Sequence, residues 1–476
     1  MRYDAIVIGS GQAGSPLSED LADHGWTVAL IEKAHLGGTC INTGCTPTKT
    51  MIASAQVAHY ARNALRWGVR TGEVQVDLPR IVARKDEIVQ RFRGGKQSAV
   101  ESRERLHLHR GAARFLDRHR ITVQDQVLEG DRIFINTGTR PEIPSIQGLE
   151  SVTHLTNATL MELTHVPEHL VVIGGGYIGL EFGQMFRRFG SRVTIVHRGD
   201  AVLSREDDDV AMELQKALEA EGLQFFLKTR PIRVAAKGGK IEVTLDAGGG
   251  TQVVTGSHLL VATGRRPDTH DLGLDHAGVE TDARGYIQVN DRLETNVPGI
   301  WALGDVKGGP AFTHISYNDY QIVLGNLVDG KDLTIRDRIV PYSVFTDPQL
   351  GRVGMTEREA RATGRRLKIG KIPMAWVARA IERDETAGLM KLVVDAESDR
   401  ILGAAILGTE GGELVQILGA LMLARAPYTL LKGAVYIHPT LAEGFYALMD
   451  DVKPVDEPAA GRDGSGTSPR AQGRSE

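Results

Sequence analysis

The 476-residue chain is poor in cysteine, with two, Cys40 and Cys45. Two thiols cannot build the disulfide framework on which small secreted domains rely. It also lacks a charge bias: 56 Lys and Arg face 60 Asp and Glu, a net charge of -4. No nucleic-acid partner and no acidic membrane surface are therefore expected. No run of 18 apolar residues is present, so no spanning helix is expected. Met1-Arg2-Tyr3-Asp4 leads straight into Ala5-Ile6-Val7-Ile8, too short and too quickly broken by glycine for a signal core, so a cytoplasmic protein is expected. A second Cys or His cluster at regular spacing is missing too. A four-ligand zinc site is thus disfavoured, and no metal site is expected.

What is present is glycine, 55 residues of it, much of it at strand-to-helix turns. Length alone suggests about two to four domains. The apolar strand Ala5 to Ile8 meets Gly9-Ser10-Gly11-Gln12-Ala13-Gly14, a helix to about His24, and a strand from Thr27 to Glu32. The same order returns at Leu170 to Ile173, Gly174-Gly175-Gly176-Tyr177-Ile178-Gly179, and Arg192 to His197. Two such units in strand–turn–helix–strand context predict a duplicated dinucleotide-binding fold. In this turn the first glycine bends the chain, the second admits a pyrophosphate, and the third lets helix pack on strand. A tight turn without a ligand is the bland alternative for a single copy. Between the units, helices are predicted from Thr46 to about Trp67, closed by Gly68, and from about Leu78 to Arg105. From about Val340 strand-like runs at Leu389 to Val394 and Ile401 to Leu407 surround helices at Gly412 to Arg425 and Leu441 to Met449, the pattern of a separate α+β domain. The stretch from Lys453 to Glu476 is rich in Pro, Gly, Ser and charge and is predicted to be a disordered tail.

The two units differ at one informative place. Eighteen residues after Gly14 stands Glu32, whose carboxylate can accept the ribose hydroxyls of an unphosphorylated adenosine such as that of FAD or NAD. The same offset from Gly179 reaches His197, followed by Arg198, with Arg205 nearby. A basic pair there suits a 2′-phosphate, so NADPH is expected, with NADH as the alternative. A solvated strand end is the plainer reading of the same residues.

The cysteines lie in Gly37-Gly38-Thr39-Cys40-Ile41-Asn42-Thr43-Gly44-Cys45-Thr46-Pro47-Thr48-Lys49. Pro47 suits a first helical turn, which puts Cys45 at a helix N-terminus where a thiolate is favoured. Cys40 is expected in a flexible glycine-flanked loop, close enough to bridge if the loop folds back. His438 stands before a proline and by itself reads better as a structural residue than as a proton shuttle for a thiol, the role for which Glu443, five residues on, would orient its ring.

These stretches, with Ala262-Thr263-Gly264-Arg265-Arg266-Pro267, Leu303-Gly304-Asp305, Phe345-Thr346-Asp347-Pro348 and Ile437-His438-Pro439-Thr440-Leu441-Ala442-Glu443, resemble the pyridine nucleotide–disulfide oxidoreductases, the group of dihydrolipoyl dehydrogenase, glutathione reductase and mercuric reductase. The resemblance runs to about Met449. It implies an α/β protein with two Rossmann-like dinucleotide-binding domains and a C-terminal α+β dimerisation domain. The implied limits are 1–148 for the first part of an FAD-binding domain, 149–271 for an NAD(P)-binding domain, 272–336 for the FAD return segment, 337–452 for the dimerisation domain and 453–476 for the tail. FAD would be held by Gly9, Gly11, Gly14, Glu32, Gly38, Thr39, Lys49, Thr137, Gly138, Gly304 and Asp305. NAD(P) would be held by Gly174, Gly176, Tyr177, Gly179, His197, Arg198, Arg205 and Gly264, with Tyr177 as gate. Cys45 would stack on the flavin and Cys40 meet substrate. Lys49 would pair with Glu181, and His438 with Glu443 would serve from the partner of a homodimer.

The implied reaction carries electrons from NADPH through FAD to the Cys40–Cys45 pair and on to a small disulfide or thiol. Mercuric reductases carry a C-terminal cysteine pair that is missing here, which favours a disulfide over Hg(II). Alternatives are another soft metal ion such as Cu(II), a dihydrolipoyl dehydrogenase, a quinone reductase that does not use the cysteines, and a non-enzymatic flavoprotein subunit.

Overall fold

The computed structural model describes residues 1–455. Its first sheet begins with Arg2–Ile8 paired in parallel with Val28–Glu32 on one side and Gln126–Ile135 on the other. Leu106–Arg110 extends one edge, and Ile300–Ala302 also joins Gln126–Ile135 in parallel. The Arg2–Ile8 strand is apolar on both faces from Ala5 onward because both are covered, one by the helices Gly14–Asp23 and Thr313–Leu327 and the other by the strands Ala113–Phe115 and Arg120–Val123 with Leu274–Ala277. The sheet's return strand from residues 300–302 means that the second nucleotide-binding unit interrupts the first in sequence but not in space.

That second unit has a four-stranded parallel sheet in the order Gln224–Phe226, Arg192–Val196, His169–Ile173, His258–Val261. A three-stranded antiparallel ribbon of Arg230–Lys237, Lys240–Asp246 and Thr251–Gly256 accompanies it. The C-terminal domain is a six-stranded antiparallel sheet backed by the Gly411–Leu423 helix and by Gly444–Asp450. No helix among the described residues is long and apolar enough to cross a membrane.

Three local expectations need correction. The helix opening at Cys45 is α-helical only to Asn63; Ala64–Trp67 tightens to a 3-10 turn before Gly68 takes a left-handed φ of 78°. Cys40 is not in an open loop but in a short helix, Gly38–Asn42. Gly37 and Gly38 turn the chain with φ of 97° and 60°, and the Asn42 amide ties the turn by donating to the Leu36 and Gly38 carbonyls. At the C-terminus, Lys453–Pro454 is a strand rather than tail, paired antiparallel with Leu367–Pro373. It adds to an edge that would otherwise expose unpaired backbone. The remainder of the expected tail lies outside the described residues.

Candidate active site

A cavity of about 1000 Å³ runs along the first glycine turn and past both cysteines. Its wall includes Gly9, Gly11, Glu32, Gly38, Thr39, Lys49, Thr137, Gly138 and Asp305, and also Tyr177, Glu181 and Phe345 from the other two domains. The glycines are required by contact. A Cβ on Gly14 would lie 2.0 Å from the Gly9 carbonyl oxygen, and one on Gly11 2.8 Å from Asn136 Oδ1. The second turn repeats the arrangement, with a Cβ on Gly179 2.0 Å from the Gly174 carbonyl oxygen.

These residues fit FAD. Gly9, Ser10, Gly11 and Gln12, the turn that leads into the helix Gly14–Asp23, line the cavity end where the glycines leave room for a pyrophosphate. Buried Glu32 accepts from Ser10 N and Oγ at 3.0 and 2.6 Å and from Ala34 N at 2.8 Å. Of roughly four lone-pair sites on a carboxylate, about one remains for a ribose hydroxyl. Thr137 Oγ1 is buried without a partner, a group that a ligand in the cavity can satisfy. Asp305 accepts from Thr139 Oγ1 at 3.0 Å, and burial raises its pKa above the usual carboxylate value.

The two thiols face each other. The Cys40 thiol donates toward Cys45, which, against the opposing effect of burial and with help from Thr313 and Lys49, lowers the Cys45 pKa to about 6. The same bond, with burial, pushes Cys40 up. The negative charge is thus favoured on Cys45, the first residue of the Cys45–Asn63 helix, over Cys40. Lys49, one turn on, makes a 2.7 Å ion pair with buried Glu181. Glu181 also accepts from the Phe345 amide at 2.9 Å, and Lys49 Nζ lies 4.6 Å over the Phe345 ring. One helix from each nucleotide unit and one strand end from the C-terminal domain therefore meet at this pair.

At the second turn His197 folds back on the loop. Its Nδ1 accepts from the Gly175 amide at 3.2 Å, leaving Nε2 buried without a partner. Burial, then Arg198, lowers its pKa. The positive charge expected there accordingly falls to Arg198 and Arg205, both exposed. Tyr177 lines the cavity, and burial pushes its hydroxyl up to about 12.

His438 lies apart from the cavity. Its side chain is 72% exposed, with Nδ1 3.0 Å from Glu443. Around it Val435 and Ile437 are 95% and 79% exposed, an apolar surface a monomer does not favour.

Three contributors escaped the motif reading. Asn136 accepts from the Gly14 amide at 2.9 Å and donates to the Leu303 carbonyl at 2.8 Å, joining the glycine turn to the Gly304-Asp305 loop. Fully buried Asp319 accepts from the Gly304 amide at 2.8 Å. Thr313 Oγ1 is 3.2 Å from Cys45 Sγ. Asn136 directly precedes the Thr-Gly that ends a strand, which was a usable signal; Thr313 and Asp319 lie far from the cysteines and glycines in sequence and carried none.

Residues 3–319 match the family described as pyridine nucleotide-disulphide oxidoreductase, and residues 340–448 match its dimerisation domain. A similar protein is the probable pyridine nucleotide-disulfide oxidoreductase RclA of Escherichia coli strain K12, 36% identical over 95% of this chain and 100% of its own. The dihydrolipoyl dehydrogenase of Thermus scotoductus is 37% identical over 93% of this chain and 95% of its own. The solved Cu(II) complex of the HOCl-induced flavoprotein disulfide reductase RclA from Escherichia coli superposes with a TM-score of 0.87 at 36% identity, over 95% of this chain and 100% of that one. This chain belongs to the pyridine nucleotide-disulphide oxidoreductase family, an oxidoreductase that acts on sulfur groups with FAD and NAD(P)H.

Proposed function

We propose that the protein is a homodimeric, NADPH-dependent reductase of a small disulfide, working through Cys40 and Cys45. The observation that carries this reading is the placement of both cysteines on the wall of the same cavity that the first glycine turn lines. The domain limits given above follow from it: FAD on 1–148 and 272–336, NAD(P) on 149–271, and dimer contacts on 337–452.

FAD, held there, would supply a two-electron carrier between the nicotinamide and the disulfide of the cysteine pair. The chain's own residues do the rest. Gly9, Gly11 and Gly14 admit the pyrophosphate, Glu32 takes the ribose, and Thr137, Gly138, Gly304 and Asp305 border the remainder, with Gly38 and Thr39 at the turn before Cys40. Gly174, Gly176, Gly179 and Gly264 leave backbone room for the second nucleotide, Tyr177 covers the nicotinamide pocket, Arg198 and Arg205 receive the 2′-phosphate, and His197 braces the turn through the Gly175 amide. Lys49 holds a positive charge at the reactive end of the cavity, fixed by Glu181. Cys40, as thiolate, attacks one sulfur of the substrate disulfide; that S–S bond breaks, and the departing thiolate takes a proton from His438 of the partner subunit. That proton is the one His438 had taken from the Cys40 thiol. Cys45 then attacks the Cys40 sulfur, restoring the Cys40–Cys45 disulfide and expelling the second sulfur as a thiolate that solvent protonates. The exposure of His438 and of the apolar residues beside it supports its service across a dimer.

Reduction of Cu(II) is a second reading. Adjacent soft thiols favour it, and the relative solved as a Cu(II) complex adds to it. The test is a turnover panel with NADPH and NADH against lipoamide, glutathione disulfide, an aromatic disulfide, Hg(II) and Cu(II), using wild type, Cys40→Ser and Cys45→Ser. Disulfide turnover with NADPH that both variants lose supports the first reading. Turnover of Cu(II) alone moves the assignment to the second, and turnover kept in both variants defeats the two together.

A further inference from the structure

Tyr342 stands where the three domains meet. It belongs to the strand Pro341–Val344 of the C-terminal domain. Its ring stacks on Phe312, with centroids 5.1 Å apart and planes 10° from parallel. Phe312 stacks in turn on His314, at 5.4 Å and 11°, and lies 6.4 Å from Tyr177. All four rings line the cavity, and stacked rings at this spacing hold one another in place. The Tyr342 hydroxyl donates to Glu206 of the second nucleotide unit, a carboxylate 3% exposed. Burial, then the Glu206 charge, raises the Tyr342 pKa, so the hydroxyl keeps the proton it gives. Arg352 approaches the same carboxylate only to 3.7 Å. Among the described residues, Tyr342 therefore makes the one hydrogen bond to the Glu206 side chain. Glu206 directly follows Arg205. Their loop is tied to the second glycine turn, where the Leu203 amide donates to the Gly175 carbonyl at 3.0 Å. Arg358 of the C-terminal domain holds it from the other side, donating to the Ser204 carbonyl at 3.2 Å.

We infer that Tyr342 is a positioning residue for hydride transfer: its ring sets the Phe312 wall beside Tyr177, and its hydroxyl ties that wall, through Glu206, to the loop that bears Arg205. This rests on the proposed 2′-phosphate site at Arg198 and Arg205 and on Tyr177 as the cover of the nicotinamide pocket. The other rings of the stack do not supply the link. Phe312 has no polar side-chain atom, and His314 Nε2 turns to the Pro341 carbonyl at 2.6 Å. A group far from the reacting atoms speeds reaction only when its binding energy is realised at the reacting end. The Glu206–Tyr342 bond provides that route. A 2′-phosphate held by Arg205 steadies the loop, the loop steadies Tyr342, and Tyr342 steadies the ring wall at the nicotinamide. NADH lacks the phosphate and leaves the wall uncoupled, so the 2′-phosphate acts on rate as well as on affinity.

The test uses FAD-loaded wild type, Tyr342→Phe, which keeps the stack without the donor, and Glu206→Ala, which removes the acceptor and stands in if the first variant loads poorly. Hydrogen–deuterium exchange is followed in peptides covering residues 311–316. The probes are adenosine 2′,5′-bisphosphate, which carries the 2′-phosphate but no nicotinamide, and 5′-AMP. The bisphosphate should slow exchange there in wild type, 5′-AMP should not, and either variant should lose the effect. In anaerobic stopped-flow at saturating coenzyme, a coupling of ordinary size makes flavin reduction in wild type about 5- to 150-fold faster with NADPH than with NADH. Either variant should abolish that ratio by slowing the NADPH reaction alone. Bisphosphate that binds wild type without slowing exchange overturns the role of Tyr342. So does a rate ratio that survives in Tyr342→Phe, or an equal slowing of both coenzymes, which is what a merely structural residue would give. Half-saturating NADPH left unchanged by both Arg198→Ala and Arg205→Ala overturns the 2′-phosphate site itself.

Discussion

At the scale of single residues the chemistry depends on where two protons reside. The Cys45 pKa of about 6, against an ordinary 9.0, keeps it a thiolate at neutral pH. Because the lowered value favours the anion, charge is present above the midpoint and lost below it. The long-wavelength absorbance of the reduced holoenzyme is expected to be complete near pH 7.5 and to fall by half near about 6; a midpoint close to 9 would show that the Cys40 bond does nothing. In the proposed cycle the second proton belongs to His438, whose Nδ1 lies 3.0 Å from Glu443. His438→Gln is expected to lower disulfide turnover by roughly 10²- to 10⁴-fold while leaving flavin reduction by NADPH unchanged in stopped-flow absorbance. Loss of both rates together would place His438 elsewhere in the cycle.

Elements decide what those residues can reach. The two glycine turns have the same internal collision, 2.0 Å in each between a Cβ on the third glycine and the carbonyl oxygen of the first, so equal substitutions should separate their duties. Gly14→Ala is expected to yield protein with little flavin, read from the ratio of 450 to 280 nm absorbance. Gly179→Ala is expected to stay yellow but need much more NADPH for flavin reduction. The reverse pattern would exchange the assigned nucleotides. Both turns were legible because their φ and contact demands admit almost no other residue. The short helix holding Cys40 was not legible, since it depends on Asn42 donating to carbonyls that only the folded turn brings near.

On the scale of the whole molecule, three domains are tied by buried charge. Arg188 of the second nucleotide unit is 5% exposed and pairs with Glu221 at 2.6 Å and with Asp347 of the C-terminal domain at 2.7 Å, while Gln56 of the first unit donates to Asp347. Arg188→Met leaves two carboxylates without their cation and is expected to cost about 3 kcal/mol, measured as a lower midpoint of urea unfolding; an unchanged midpoint would mean that water replaces the guanidinium. The dimer is tested by complementation. Cys45→Ser and His438→Gln chains, each inactive alone, should regain about a quarter of wild-type turnover when unfolded and refolded together, since half the dimers are hybrids with one intact site of two. No recovery would place both residues in one chain's site.

The sequence by itself determined the features that are local and sterically strict: the two nucleotide turns, the helix that begins at Cys45, and the pairing of His438 with Glu443 five residues away. It determined the family because those features occur in one order. The helix start already favoured a thiolate on Cys45; tertiary structure added the facing Cys40 thiol and the more distant groups Thr313, which lowers its pKa, and Glu181, which opposes this, up to 268 residues apart in sequence. It also decided that His197 accepts a hydrogen bond from the Gly175 amide instead of offering a cation, with burial lowering its pKa, which no strand pattern reveals. Periodicity and turn chemistry act over a few residues, whereas desolvation and charge act through space, and the chemistry of this site depends on both.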